Sequence, residues 1–312
     1  MKRLITIVLI GLSIWGLKAQ QDPMYTHYMY NTLGINPAYA GSRDALTLTM
    51  LHRSQWVSFP GTPTTQTVTA HAPVLNDMFS LGLSVVNDAI GPVSNTSFFV
   101  DYAYRIRLTP TSRLAFGLKV GFNSLQANLT SLKLDPPGTS GAPLDHAFSD
   151  DLSGQIAPNL GFGIYYSKDK FYAGLSTPRL FKSNYGTASD SSLYKEQQHY
   201  FFILGGAYSI NDAIEFVPTS FLKITKGAPI EADFSGCFVY NNKFTVGAMY
   251  RTLDAAGLLA GISLTDQLYM GYSFDWSFGN STARYNKGSH EIVLRYDFIF
   301  TGKGKIRSPR YF

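Results

Sequence analysis

The sequence predicts an all-β fold: a transmembrane antiparallel β-barrel of about 14 strands, with a short N-terminal segment that plugs or caps its periplasmic mouth. Three observations predict it. Aromatic residues make up 14% of the chain, with 20 Tyr and 22 Phe, while charged residues make up only 15%, against about 25% in ordinary globular chains. The apolar residues are spread over alternate positions, and past the N-terminus no run reaches the ~18 needed for a membrane-crossing helix. Finally, short and long connectors alternate along the chain, as periplasmic turns and surface loops do in such barrels.

The first element is a targeting segment. In "MKRLITIVLIGLSIWGLKAQ", Lys2 and Arg3 precede an apolar run from Leu4 to Leu17, followed by Lys18, Ala19 and Gln20. That is the layout of a secretory signal peptide, with cleavage expected after Ala19, so residues 1–19 are set apart from the fold. The alternative is an uncleaved anchor. The single cysteine, Cys237, lies too far along the chain to carry a lipid at the cleavage site and has no partner for an intrachain disulfide.

Residues 20–44 form the next element. "QDPMYTHYMYNTLGINPAYAG" shows no strand alternation. Asp22 before Pro23 is a helix-start signal. Tyr25, Tyr28, Met29 and Thr32 then share one helical face at i, i+3, i+4 and i+7 spacing. A short aromatic helix at the periplasmic mouth is expected, with Tyr25, Tyr28 and Met29 as plug candidates; an ordered arm without further role is the alternative.

The barrel itself is expected over 45–302, with a periplasmic tail over 303–312. In "RLAFGLKVGFN", Leu114, Phe116, Leu118, Val120 and Phe122 share one face of a strand. The same alternation runs through "VDYAYRIRL", "LYMGYSFDWSF" and "EIVLRYDFIF", and more weakly through 79–85, 160–166, 171–176 and 244–251. The second face decides the class. It is rich in Gly and Ser, with a few charges of both signs: Asp101, Arg105, Arg107, Lys119, Asp275, Glu291, Arg295 and Asp297. Those suit a lumen where they face one another, while the nearly uninterrupted apolar face suits lipid, where Lys or Arg costs about 2–4 kcal/mol at the midplane. A secreted β-sandwich is the alternative reading.

Short turns are expected at "LTPTS", "SKDK", "SIND", "NNK" and "TDQ". Long loops are expected at "HRSQWVSFPGTPT", "NDAIGPVSNT", the stretch 126–154, 177–198 and "GNSTARYNKGS". Two connectors that should be long, near "TKGAP" and "TLDAAG", are short, and the one between His71 and Phe79 is middling; otherwise the parity holds and places both termini in the periplasm.

Enzymatic signatures do not appear in the sequence. The six histidines make no H-E-x-x-H pattern, and no G-x-S-x-G elbow occurs. "HAFSDD" brings Asp145, His146, Asp150 and Asp151 into one loop, read as a solvated acidic loop in preference to a calcium site. The net charge of +5 lacks the basic, aromatic-interleaved cluster of a nucleic-acid binder. No catalytic, cofactor or metal residue is assigned.

Several segments in order, "NPAYAGS", "HRSQWVSFPGTPTTQTVTAHAPV", "NDAIGPVSNTSFFVDYAYRIRL", "LAFGLKVGF", "GSHEIVLRYDF" and "SPRYF", resemble the PorP/SprF family. These are outer-membrane proteins of Bacteroidota tied to type IX secretion and gliding motility. The resemblance runs from about residue 21 to the C-terminus and is weakest over 125–200. It implies a non-enzymatic outer-membrane barrel that anchors a secreted adhesin or other type IX cargo at the cell surface. The alternative within the family is a link from the outer membrane to periplasmic ring or peptidoglycan-binding lipoprotein components. Expected partner contacts are Arg53, Gln55 and Trp56 in the first long loop, then Gln66 and His71, with Thr65 and Thr67 between. The competing structural roles are Trp56 as an interface-belt aromatic and Gln66 as a lumen hydrogen-bond donor. A diffusion porin is the runner-up function and an outer-membrane lipase the third.

Overall fold

The computed structural model describes residues 23–58, 60–75, 77–132, 150–186, 194–278 and 285–298. The expected signal peptide, Asp22, Asp145, His146 and the 303–312 tail lie outside them.

The chain enters through turns at residues 23–31, a single helical turn α1 (Thr32–Ile35) and a 3-10 turn over Pro37–Tyr39. The strands follow: β1 (Leu46–Ser54), β2 (Thr64–Leu75), β3 (Phe79–Ile90), β4 (Val93–Arg107), β5 (Ser112–Ala127), β6 (Leu152–Lys168) and β7 (Phe171–Thr177). A small hairpin, β8 (Asn184–Tyr185) with β9 (Tyr194–Lys195), sits in the next loop. The wall then resumes with β10 (His199–Gly206) and the two-residue β11 (Tyr208–Ser209). It ends with β12 (Ile214–Thr225), β13 (Glu231–Tyr240), β14 (Phe244–Arg251), β15 (Ala255–Ser263), β16 (Leu268–Ser277) and β17 (Ser289–Phe298).

Every neighbouring pair is antiparallel and the sheet closes twice over. β1 pairs with β17, Leu51 opposite Val293, and β10 pairs with β12, Ile203 opposite Phe221. β11 continues β10 along β12 after a break at Ala207, so the wall is a closed barrel of 14 strands. Closure leaves no unpaired edge, which is what allows a sheet to stand in lipid. Among the described residues no helix is long and apolar enough to cross a membrane.

Alternation positions the two faces. On β5, Leu118, Val120 and Phe122 point outward and are exposed, while Ala115, Lys119 and Asn123 point inward and are buried. On β17, Ile292 and Phe298 point outward, and Glu291, Val293, Arg295 and Asp297 inward. The outer belt is therefore aliphatic and aromatic, as contact with acyl chains requires.

The two ends of the barrel differ. At the turn end, β6 and β7 are joined by Asp169 and Lys170 alone, and β13 and β14 by Asn241–Lys243. Asn241 and Asn242 have φ of 50° and 54°, the left-handed pair a tight hairpin needs and asparagine tolerates. At the loop end lie the long connectors 55–63, 128–151, 178–198 and 278–288. One expected loop is absent. "NDAIGPVSNT" is not a long connector, because β3 and β4 run on through it and turn at Gly91 and Pro92. β4, β5 and β6 have 15, 16 and 17 residues, where about 9–11 span a bilayer. The outward positions of β4 and β5 turn polar toward the loop end (Ser94, Thr96, Ser124, Gln126), and β6 runs beside them with Ile156 exposed, so this part of the wall rises out of the membrane as a palisade.

Candidate functional site

The interior is not an empty channel. The N-terminal segment runs through it, and its position is fixed by contacts at both ends of the barrel.

The head of the segment is held at the loop end. Arg53, the penultimate residue of β1, sends Nη1 to Asp275 Oδ2 at 2.8 Å, Glu291 Oε2 at 3.2 Å and Thr26 Oγ1 at 2.9 Å. Glu291 in turn accepts the backbone N–H groups of Thr26 (2.9 Å) and His27 (2.6 Å), and the His27 ring nitrogen Nδ1 lies 2.9 Å away. Thr26 Oγ1 donates to Asp275 at 2.6 Å. Two strands further round the wall from Asp275, Arg251, the last residue of β14, forks onto Asp233 at 2.8 and 2.9 Å and reaches the Tyr25 carbonyl at 3.4 Å. Lys223 Nζ meets Met24 Sδ at 3.3 Å. Bidentate pairing and mutual hydrogen bonding are what make charges tolerable when they are this deeply buried.

The middle packs as a hydrophobic core. Tyr28 stacks on Phe221 with ring centroids 5.2 Å apart, Tyr30 on Tyr269 at 4.4 Å, and Tyr39 meets Tyr165 edge-on at 5.4 Å. The rings bury apolar faces while their hydroxyls find wall partners: Tyr25 with Thr67 at 3.0 Å, Tyr28 with Thr219 at 2.8 Å. Leu33, Ile35, Ala38 and Ala40 are likewise buried. The wall makes room by omitting side chains. A Cβ on Gly117 would sit 2.1 Å from the Ala38 amide nitrogen, and one on Gly163 2.1 Å from Asn36 Oδ1.

The tail is held at the turn end. Arg43 forks onto Asp297 at 2.8 and 3.0 Å, and Thr47 Oγ1 donates to the same carboxylate at 2.7 Å. Asp44 Oδ1 accepts from Arg105 (2.5 Å) and Arg113 (2.6 Å), and Arg105 also binds the Gly41 carbonyl.

The sequence-predicted residues fall into this picture unevenly. Asp101, Arg105, Lys119, Asp275, Glu291, Arg295 and Asp297 all line the interior, and Lys119 Nζ lies 2.9 Å from Asp101. Arg107 shares their face but, at the end of β4, is exposed beyond the rim. Tyr25, Tyr28 and Met29 are buried in the lumen, although not as one helical face. Residues 28–30 form a turn closed by Tyr30 N–H donating to the His27 carbonyl at 2.9 Å, and no helix extends back from it, because the backbone N–H groups of Thr26 and His27 are taken up by Glu291 on the wall. The first described residues of the segment are at the loop end, where Met24 meets Lys223 near the end of β12.

The expected partner contacts separate. Arg53 is no loop residue but a buried strand residue engaged in two ion pairs. His71 is buried too; its Nδ1 accepts from Gly41 N at 3.1 Å and its ring packs on Tyr39. Neither is available to a partner. Gln66 faces outward, exposed, between His52 and Asn87 on the wall, so it donates nothing to the lumen. Gln55 and Trp56 do lie in the first loop, half-buried, with the Trp56 amide donating to Ser289 Oγ at 3.2 Å. In the acidic loop Asp151 accepts the Thr130 backbone N–H and hydroxyl, both at 2.9 Å. Those bonds hold its carboxyl below the usual aspartate range.

Arg43, Asp44, His27, Asp233 and Arg251 were not singled out from sequence. For Asp233 and Arg251 a signal exists: opposite charges on the inward parity of adjacent strands, directly opposed in register. For Arg43, Asp44 and His27 there is none, because they stand in an irregular segment whose partners are distant in the chain.

Comparison with known proteins accords with the fold. The chain is similar to the CymD monoaromatic hydrocarbon channel, at 11% identity over 87% of this chain and 93% of that one, with a TM-score of 0.50. It is also similar to the Acinetobacter baumannii outer membrane protein Omp33, at 10% identity over 83% of this chain and 100% of that one, with a TM-score of 0.47. At 11% identity the likeness to CymD speaks to the fold alone. No curated protein matches the chain. The family described as "Type IX secretion system membrane protein PorP/SprF" matches residues 17–296. With a closed lipid-facing barrel and a match over most of its length, this outer-membrane chain belongs to the PorP/SprF family of type IX secretion system membrane proteins.

Proposed function

We propose that this barrel is a non-enzymatic docking element of the secretion machinery, not a conduit for solutes. It holds a secreted surface protein, an adhesin or other type IX cargo, at its loop end. The observation that carries the reading is the occupied lumen: a segment held by the buried Arg43–Asp297 ion pair and by hydrogen bonds from the buried Arg53 and Arg251 to Thr26 and Tyr25 leaves a wall and its loops, not a pore, as the working surface. The palisade of β4–β6 and the Gln55–Trp56 loop supply that surface. Residues 1–19 act as the signal peptide that delivers the chain. A second arm of the reading, linkage to periplasmic ring or peptidoglycan-binding components, is supported by Arg107, exposed at the turn-end rim directly opposite Arg113.

Crosslinking in intact cells followed by pull-down tests the reading, together with deletion of the gene. Capture of a secreted surface protein, and its loss from the surface in the mutant, are expected. Normal surface display in the mutant with steady ion conductance from the purified barrel would favour the diffusion porin instead.

A further inference from the structure

We infer that the N-terminal segment threads the barrel from face to face and presents its leading residues, Pro23 and Met24, on the cell-surface side. This rests on barrel geometry alone and stands apart from the docking reading.

Three sets of contacts fix the path. At the leading end, Met24 meets Lys223, two residues from the loop-end terminus of β12, and the Tyr25 carbonyl meets Arg251, the terminal residue of β14. Thr26 and His27 are tied to Glu291, the third residue of β17 counted from the same end. At the trailing end, Arg43 binds Asp297 one residue before the opposite terminus of β17, and Asp44 binds Arg113 at the start of β5. Between them the Asn36–Ala38 backbone lies in the recess over Gly117 and Gly163. No other direction of travel satisfies all three, since the two ends are held by opposite rims of the same strands.

Orientation follows from the connectors. Short turns face the periplasm and long loops the outside in such barrels, and the outward positions of β4 and β5 lose their apolar character only toward the loop end. The leading end of the segment is therefore on the outside. Burial agrees: Met24 and Pro23 are half-exposed while Tyr25–Met29 are buried. A chain delivered from the periplasm thus puts its own N-terminal end in the surface vestibule, beside the loops that meet the outside.

Single cysteines placed in a Cys237→Ser background test this in intact cells with a membrane-impermeant maleimide. Lys226→Cys in the β12–β13 connector serves as the loop-end control and Lys243→Cys in the β13–β14 turn as the turn-end control; both positions are exposed. Met24→Cys is expected to react without permeabilisation, as Lys226→Cys does, while Lys243→Cys reacts only once the outer membrane is opened. Reaction of Met24→Cys only after permeabilisation overturns the inference, as does no reaction in either state. Reversed behaviour of the two controls overturns it through the orientation. A short flexible epitope inserted directly before Pro23 gives a second readout. Antibody binding on intact cells is expected, and binding only after permeabilisation overturns it.

Discussion

The backbone of Ala38 is lodged in the wall at Gly117: a methyl group on that glycine would stand 2.1 Å from the Ala38 amide nitrogen. Backbone held on both flanks cannot step aside as a flexible side chain can. Gly117→Val is expected to lower the stability of the barrel by about 1–3 kcal/mol, the range for an overfilled core. Ala256→Val, on the outward face of β15, is expected to be near neutral. The denaturant midpoint of each variant in detergent micelles measures the contrast.

Arg53 neutralises two carboxylates that have no access to water. Arg53→Ala leaves Asp275 and Glu291 facing each other and is expected to cost about 3–5 kcal/mol, the range for breaking a buried pair from one side. Adding Glu291→Gln to that variant removes one of the stranded charges and should recover part of the loss. A double-mutant cycle by equilibrium unfolding resolves the coupling. Additive effects would mean the contacts carry no net energy.

Removing residues 24–40 empties the lumen of its packing. In planar bilayers the intact barrel is expected to show little steady conductance, and the shortened chain, if it assembles, open-channel currents. Steady porin-like currents from the intact barrel would contradict a locked segment.

The outer belt is a further point of attack. Leu118→Arg puts a guanidinium at the middle of β5 facing lipid, with an expected cost of about 2–4 kcal/mol. Gln126→Arg, on the same face near the loop end, is expected to be tolerated. Unfolding from lipid vesicles distinguishes depth from mere substitution.

Asp151 titrates below an ordinary aspartate because Thr130 donates to it. Its contribution to ordering the β5–β6 connector is therefore present above the unfolded aspartate range and lost as pH falls through the depressed value. Thr130→Val removes the hydroxyl bonds and keeps the backbone N–H, so the Asp151 carboxyl should shift part of the way back up, as read by NMR titration.

The wall was legible because lipid and lumen impose opposite demands on successive residues; Leu118 beside Lys119 states both. Where that opposition fades, so does the signal. Past Val85 on β3 and before Phe98 on β4 the outer face meets water, the residues turn to Asn, Ser and Thr, and two long strands read as a loop. Arg53 was misread for a related reason. It follows Leu51 on the inward face of β1, and Leu51 is buried against the plug, so the inner face there is not uniformly polar. The path of residues 23–44 was out of reach. Its hydrogen bonds run from Thr26 to Glu291 and from Arg43 to Asp297, some 250 positions away, and no local pattern encodes such a pairing. The helix signal of Asp22–Pro23 and the tyrosine spacing was real as propensity, but wall contacts outweighed it.

Since residues 23 and 44 stand at opposite rims of one closed ring, the segment sits like an axle in a wheel. The wheel shuts by joining β1, which follows the axle directly, to the last strand, β17. That seam divides assembly into two routes: the axle is seated before it zips, or it slips through afterwards as a slim, unfolded peptide. A bulky folded passenger fused ahead of residue 23 would have to be carried across the outer membrane with the closing ring, or stop it from closing.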